Sequence, residues 1–265
     1  MNLFKKKRLD TILLERGLEI TKARARARIL SGDVIVGEHR IDKPGTLISD
    51  HLAVRFKKKS IPYVSRGGIK LEAALESWPM PDKNTVCIDI GASTGGFTEV
   101  LLKHDARLIY AVDVGINQIA YKLRIDPRVH VFEKTHILKI PIEKLNPKPS
   151  IATIDVSFIS IKKILPSVIN CLTFNALLYV LIKPQFETNK KNLLEKGILK
   201  NRYAREQIRN NILKFFRSKN LKLIGYKESP IQGLRGNIEY LACFYFPESK
   251  SFHITETPIL DICKT

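Results

Sequence analysis

The chain has 265 residues, and its 45 Lys and Arg outnumber its 26 Asp and Glu, so its formal charge at pH 7 is +19. Hydrophobic residues make up 44% of the chain, which is enough apolar side chain for a core and excludes wholesale disorder. The longest apolar run, 176–182, is far shorter than the roughly 20 residues that cross a bilayer. We therefore expect neither a membrane-spanning protein nor a membrane partner.

The positive charge is concentrated in two segments. Residues 1–60 hold 15 Lys and Arg against 7 Asp and Glu, and residues 190–222 hold 11 against 2. Two basic segments in an otherwise nearly neutral chain favour a polyanionic partner held at two places. Two solvated helical faces are the alternative.

The cysteines and the N-terminus indicate a cytoplasmic protein. The basic segment 1–8 is not followed by an apolar signal core, so no secretion signal is predicted. Four widely spaced cysteines lack paired metal-ligand spacing and are expected to be reduced core thiols: Cys87, Cys171, Cys243 and Cys263. The scattered histidines form no ligand cluster, so we expect no metal; His104 and His136 are interpreted as surface or packing residues.

The N-terminal segment predicts two short helices followed by a small β-ribbon. Apolar residues at helical spacing give a first helix that Gly17 ends, and Thr21 caps a second helix that runs to about Leu30. Strand-like runs follow at 34–36 and 52–56. The second helix directs alternate basic residues outward, a surface suited to a phosphate backbone.

This segment resembles the small RNA-binding domain of a small-subunit ribosomal protein, which is shared with pseudouridine synthases and tyrosyl-tRNA synthetases. The resemblance rests on Leu9-Asp10, Gly17-Leu18, Thr21-Lys22, Ala25, Gly32, Val34, Val36 and Lys43-Pro44-Gly45. We predict an α+β RNA-binding domain over 1–60 and a linker at 61–64, where Pro62 disfavours helix. The candidate RNA-contacting residues are basic: Lys6, Arg8, Lys22, Arg24, Arg26 and Lys43.

From residue 84 onward, apolar strand-like runs alternate with helical stretches, which is typical of an α/β fold with a mainly parallel sheet. The first run ends in a loop rich in small residues, Asp89-Ile90-Gly91-Ala92-Ser93-Thr94-Gly95-Gly96-Phe97. It contains neither the three-glycine nicotinamide fingerprint nor a Gly-Lys-Ser/Thr phosphate loop. An aspartate-led loop of this kind is typical of S-adenosylmethionine sites, and Asp113 at the end of the next strand is suited to the ribose hydroxyls. The alternative for Asp113 is a turn residue before Gly115.

Charged residues follow two later strands. Asp155 ends the fourth apolar run and Lys183 ends the fifth, so both are expected at the same edge of the sheet as the glycine-rich loop. A lysine placed after a buried strand is partly desolvated, which lowers its pKa and suits it to act as a base; a structural lysine that reaches along the strand end is the alternative. Lys70 and Glu239 taken alone would be dismissed as surface charges.

Ordered motifs along the whole chain resemble the TlyA family, also called hemolysin A, whose members are ribosomal RNA 2'-O-methyltransferases with an FtsJ-like catalytic domain. The motifs lie at 63–71, 89–98, 111–115, 126–129, 155–159, 181–187 and 229–241. The resemblance implies a Rossmann-like class I S-adenosylmethionine-dependent methyltransferase sheet over 65–250, followed by a C-terminal tail at 251–265. It also implies a Lys-Asp-Lys-Glu catalytic tetrad at Lys70, Asp155, Lys183 and Glu239, and ten cofactor-binding residues: Asp89, Gly91, Ala92, Ser93, Thr94, Gly95, Gly96, Phe97, Asp113 and Glu133.

Two segments depart from the family pattern. After the third strand the family reads Glu-x-Thr-Asn-x-Arg, whereas this chain has His136 and Leu138 in place of the Asn and Arg, and Leu234 replaces a proline that usually follows Gly233. Neither change touches the tetrad. The first lies where adenine is expected to stack and where an arginine would meet RNA, so it bears on affinity for cofactor or substrate.

The resemblance implies 2'-O-methylation of a cytidine ribose in ribosomal RNA within an assembled subunit, with no obligate protein partner. Lys183 would accept or steer the 2'-hydroxyl proton, its pKa lowered by desolvation and by Lys70, while Asp155 and Glu239 would hold the two lysines. Three other classes stay open. They are a catalytically silent RNA-binding assembly factor, a small-molecule methyltransferase, which would not need the basic segment, and a pore-forming haemolysin, for which no membrane-inserting segment is found.

Overall fold

The computed structural model describes residues 5–56, 61–189, 193, 197–199 and 201–248, apart from the side chain of Leu234. The chain divides into two compact units, residues 1–61 and 62–265. Three sequence predictions concern residues outside the described ones: Cys263, the tail 251–265 and part of the basic run 190–222. Within the described ranges, no helix is long and apolar enough to cross a bilayer.

The first unit contains the two predicted helices and five short strands. The bounds are β1 Lys6–Arg8, α1 Leu9–Glu15, α2 Lys22–Leu30, β2 Val34–Val36, β3 His39–Ile41, β4 Leu47–Ser49 and β5 Val54–Phe56. As predicted, Thr21 caps α2, because its hydroxyl accepts the Arg24 N–H at 3.3 Å, and Gly17 follows α1 with φ +64°. Ala25 and Ile29 of α2 are fully buried, so one face of this helix packs inward.

The strands of the first unit form two small sheets. A three-stranded sheet has the order β3-β2-β5, and β1 pairs with β4 in a separate antiparallel ribbon. The sequence did not predict β1, β3 or β4, since a strand of three residues offers too little alternation to be recognised. The apolar sides of both helices and of β2 share one small core.

The second unit is the predicted α/β fold. Its strands are β6 Val86–Ile90, β7 Leu108–Val112, β8 Val129–Phe132, β9 Ile151–Ile154, β10 Ala176–Ile182, β11 Lys222–Glu228 and β12 Tyr240–Phe246. Its helices are α3 Gly67–Ser77, α4 Gly96–Lys103, α5 Tyr121–Arg124, α6 Ile161–Cys171 and α7 Arg202–Arg217. The apolar runs that the sequence placed before Asp155 and Lys183 are β9 and β10.

One seven-stranded sheet has the order β11-β12-β10-β9-β6-β7-β8. The five strands from β10 to β8 are parallel, β12 pairs antiparallel with β10, and β11 pairs antiparallel with β12. Buried apolar clusters cover both faces, as a parallel sheet requires. The strand order reverses between β6 and β9, and in such sheets ligands bind outside the carboxyl ends of the strands at that point.

Candidate functional site

A cleft of about 1330 Å³ lies at the carboxyl ends of the parallel strands. The loops that follow β6, β7, β9 and β10 each contribute to its wall, through Gly91, Asp113, Asp155 and Gln185 respectively. The cleft therefore occupies the edge that the sequence predicted for both cofactor and catalytic residues.

The loop between β6 and α4 is held from below by Asp89. This carboxyl is fully buried and accepts hydrogen bonds from the hydroxyls of Thr98 at 2.6 Å and Thr153 at 2.8 Å. Burial raises the pKa of Asp89 to about 6, and the two hydroxyl hydrogen bonds oppose the rise. Asp89 thus joins the loop to α4 and β9 from within the core, and it does not line the cleft.

Gly91 is the point at which the loop approaches the next strand. Its φ is +84°, and a Cβ added there would lie 2.4 Å from the backbone oxygen of Asp155. A side chain at this position would push the loop and the end of β9 apart. The glycine therefore brings the loop that begins the first βα unit against the segment that carries Asp155.

Three of the ten predicted cofactor residues line the cleft: Gly91, Ser93 and Asp113. Asp113 accepts the backbone N–H of Ser93 at 2.8 Å and that of Gly115 at 2.7 Å, so one carboxylate fixes two loops. Glu133 accepts the Asn117 N–H at 2.7 Å and forms an ion pair with Arg124, outside the cleft wall.

The four tetrad residues form two lysine–carboxylate pairs. In the first pair, Nζ of Lys183 lies 2.6 Å from Oδ1 of Asp155 and donates a hydrogen bond to the hydroxyl of Ser157 at 2.9 Å. Asp155 and Ser157 both line the cleft. Lys183 is not itself one of the residues that line the cleft; its contacts hold its side chain against Asp155 and Ser157, which do.

The second pair is buried. Nζ of Lys70 donates to Oε2 of Glu239 at 2.5 Å, and these residues are 8% and 2% exposed. A Cβ on Gly233 would lie 1.9 Å from Oε1 of Glu239, so a glycine is required there. Neither partner lines the cleft; the sequence alone suggested surface charges, because spacing does not show which polar residues a fold encloses.

Gln185 lies between the buried pair and the cleft. Its Nε2 donates to Oε1 of Glu239 at a long 3.4 Å, whereas its buried Oε1 has no hydrogen-bond partner within the described part of the chain. The residue is 6% exposed and contributes to the cleft wall. An unpaired buried carbonyl is costly, and it gives the site a free acceptor beside the tetrad.

Sequence reasoning also missed Glu187. Its carboxylate accepts the Ser160 hydroxyl at 2.6 Å and the Ile161 N–H at 2.7 Å, so it joins the loop after β10 to the start of α6. Phe158, in the loop so held, is 85% exposed with φ +64° and lies 4.9 Å from Phe186 between ring centroids. The motifs 155–159 and 181–187 contained these residues, but only Asp155 and Lys183 had been given a role.

His136 and Leu138, which depart from the family pattern, have separate structural settings. His136 lines the cleft, and its Nδ1 accepts the Leu138 N–H at 3.2 Å, which caps a 3₁₀ turn. The side chain of Leu138 is exposed. His104 forms a contact of 3.0 Å with Glu72 away from the cleft, in agreement with a packing role.

The six candidate RNA-contacting residues are all exposed on the first unit: Lys6, Arg8, Lys22, Arg24, Arg26 and Lys43. The three arginines also form ion pairs with buried carboxylates. The structure therefore brings these cations to the surface together with acidic partners that the sequence analysis did not consider. Within the described ranges, no group of His, Cys, Asp or Glu could hold a metal ion.

Comparisons with known proteins agree with this architecture. The FtsJ-like methyltransferase family model matches residues 63–246, and the S4 domain model matches residues 7–53. The candidate rRNA methyltransferase YqxC of Bacillus subtilis is 42% identical over 244 residues, which are 92% of this chain and 87% of that protein.

Two further relatives point the same way. The 16S/23S rRNA (cytidine-2'-O)-methyltransferase TlyA of Mycobacterium tuberculosis is 36% identical over 88% of this chain and 87% of its own. The structure of a candidate hemolysin from Streptococcus thermophilus is 38% identical, with a TM-score of 0.71 over 93% of this chain and 90% of that one. The chain therefore belongs to the FtsJ-like methyltransferase family, within the group that includes TlyA, and carries an S4 domain in its N-terminal part.

Proposed function

We propose that this protein transfers a methyl group from S-adenosylmethionine to a ribose 2'-hydroxyl of ribosomal RNA, with cytidine in an assembled subunit as the target nucleotide. The observation that carries the proposal is Asp155, which lines the same cleft as the glycine-rich loop and lies 2.6 Å from Nζ of Lys183. The names of the relatives support the substrate. An RNA substrate also agrees with the charge of residues 1–60 and implies a cytoplasmic protein.

The residues of the cleft fit S-adenosylmethionine. Gly91 lets the loop pack closely against the Asp155 backbone at the cleft wall. Each oxygen of Asp113 has accepted one backbone hydrogen bond, so lone pairs are left for ribose hydroxyls. Ser93, Val114 and Ile137 supply further polar and apolar wall. The bound cofactor would supply an electrophilic methyl group on a sulfonium centre.

Lys183 is positioned to orient the 2'-hydroxyl. Its Nζ donates to Ser157 and lies 2.6 Å from the carboxylate of Asp155, and further N–H donor capacity is left for the ribose oxygen. As the ribose oxygen takes the methyl carbon, the carbon–sulfur bond of the cofactor would break and leave a neutral thioether, and the O–H proton would pass to the carboxylate of Asp155. Lys183 would stabilise the negative charge that develops on the oxygen. The pair Lys70–Glu239 supports Gln185 from behind.

The test is transfer of radiolabelled methyl from S-adenosylmethionine to purified 30S subunits, purified 50S subunits and free ribosomal RNA, followed by mapping of the modified sugar. We expect label on a ribose 2'-oxygen of at least one subunit. The map identifies the nucleotide and shows whether one or both subunits are substrates.

Two results would contradict the proposal. Label on a base, or on a small molecule with no salt dependence, would indicate a different methyltransferase, since RNA binding through phosphates weakens steeply with salt. Tight, salt-sensitive RNA binding without transfer to any of these substrates would favour the assembly factor.

A further inference from the structure

The first unit buries two carboxylates under its basic surface. Asp10 in α1 is fully buried, and the side chain of Glu19, between α1 and α2, is 4% exposed. A buried charge is costly unless cations and hydrogen bonds compensate it. Both acids therefore depend on the arginines around them.

Each carboxylate is shared by two arginines. Asp10 accepts two hydrogen bonds from Arg8, at 3.0 and 2.8 Å, and lies 3.3 Å from Nε of Arg26. Glu19 lies 3.2 Å from Nε of Arg24 and also pairs with Nε of Arg28. Arg28 in addition lies over the ring of Phe56 at 4.4 Å.

The four arginines differ from free surface cations because their guanidinium groups are fixed at one edge. Arg24 and Arg26 are 61% and 52% exposed at the side chain, and Arg8 is 45% exposed. Arg28 is less exposed, at 20%. Arg24, Arg26 and Arg28 contact their carboxylates through Nε, which leaves terminal amino N–H groups for a further partner. A planar guanidinium presented in this way matches the oxygens of a phosphate.

We propose that Asp10 and Glu19 are positioning residues that hold Arg8, Arg24, Arg26 and Arg28 as a prearranged surface for the phosphate backbone of folded RNA. The inference rests on the proposed function, because it names how the RNA of that reaction is held. Four arginines and two acids carry a net charge of +2, so the acids reduce the raw electrostatic attraction. Their contribution is the lower conformational cost of binding, since the long side chains are ordered before RNA arrives.

Neutralising one of the acids has two opposite effects on RNA affinity, one through net charge and one through the order of the arginine side chains. Glu19→Gln raises the charge by one, which by charge alone strengthens binding to RNA. If Glu19 positions Arg24 and Arg28, the same change releases both side chains and raises the Kd by about fivefold. Asp10→Asn is expected to do the same through Arg8 and Arg26.

The matched control is Glu38→Gln in the same unit. Glu38 is exposed, its side chain being 88% accessible, and it pairs with Arg55 at 3.4 Å, so its removal adds the same charge without releasing an anchored arginine. The measurement is the Kd of the full-length protein for ribosomal RNA, determined by filter retention at several salt concentrations. We expect the control to bind equally or more tightly than the wild type.

Salt dependence separates positioning from a general loss of structure. Release of two arginines removes phosphate contacts, so the slope of log Kd against log salt is expected to fall by about one to two in variants whose melting curves show that they are folded at the assay temperature. Should either buried variant fail to fold, Arg26→Lys provides the test. It keeps the charge on a half-exposed side chain but lacks the Nε donor, and its Kd is expected to rise.

The outcomes are distinguishable. Wild-type methyl transfer to RNA together with Glu19→Gln, Asp10→Asn and Arg26→Lys variants that bind no more weakly than Glu38→Gln would overturn the positioning role alone. Absence of both RNA binding and transfer in the wild type would overturn the proposed function and this inference with it.

Discussion

The two lysine–carboxylate pairs of the catalytic unit differ in their access to the cleft. Asp155 belongs to the cleft wall and Lys183 also binds the exposed Ser157, whereas Lys70 and Glu239 are enclosed behind Gln185. A buried ion pair in general adds little net stability, but removal of one partner strongly destabilises the protein. The two pairs are therefore expected to have different roles. The outer pair, Lys183–Asp155, is expected to contact the ribose, and the inner pair, Lys70–Glu239, to support the cleft wall.

The largest expected effect belongs to the outer pair. Lys183→Ala removes the donor that orients the 2'-hydroxyl, and loss of a group positioned at the reacting atom lowers turnover by about 10² to 10⁴-fold. The carboxylate left without its cation, Asp155, is 21% exposed at the side chain, whereas Glu239 is 2% exposed. We therefore expect a smaller fall in melting temperature than for loss of Lys70, and a nearly unchanged RNA Kd. Single-turnover methyl transfer, thermal melting and RNA binding measure the three quantities.

Lys83→Ala is the matched control for Lys183→Ala. Lys83 has a side chain 84% exposed and pairs only loosely with Asp105 at 3.4 Å. Its loss is expected to leave transfer and stability at the wild-type level. Full transfer by Lys183→Ala would remove Lys183 from the catalytic residues and leave the cleft without its proposed donor.

The inner pair is expected to show the reverse pattern, a loss of stability first. Lys70→Met leaves Glu239 charged and buried without its cation, which costs about 3 to 5 kcal/mol and corresponds to a fall in melting temperature of about 10 °C. Adding Glu239→Gln to Lys70→Met removes the unpaired charge, so most of that fall is expected to be recovered. Transfer by the double variant should exceed that of Lys183→Ala.

One result would give the two pairs the same role in transfer. If the double variant regains its melting temperature but transfers no faster than Lys183→Ala, then Lys70 or Glu239 contacts the reacting groups directly. Differential scanning calorimetry and single-turnover transfer on the same preparations decide between the two arrangements.

The contrast between the pairs marks the limit of what the sequence predicts. Strand periodicity placed Asp155 and Lys183 at one sheet edge, since that position follows from local pattern and from the geometry of parallel strands. The burial of Lys70 and Glu239 depends on α3 and on the turn at Gly233, which are about 160 residues apart, and no local pattern contains it. The same reason explains why Gln185, Glu187 and the arginine partners Asp10 and Glu19 were missed.

Asp89 provides the counter-case, a buried carboxylate with neutral partners instead of a cation. Asp89 is fully buried and bonded to two threonine hydroxyls, and burial raises its pKa from 3.8 to about 6. The folded state then binds more protons than the unfolded state between these two values. This group therefore supports folding most below about pH 4, and its contribution falls as the pH rises through about 6.

Asp89→Asn tests this sign, because the amide stays neutral at every pH and can still accept from one hydroxyl and donate to the other. Relative to wild type, its melting temperature is expected to rise by about 5 °C between pH 4 and pH 7, with little change below that window. Titration of Asp10, Glu72 and Glu187 is common to both proteins and cancels in the difference. A difference that stays flat across the window would mean that Asp89 ionises without cost, and that a buried carboxylate in this fold needs no cation of the kind that Lys70 gives Glu239.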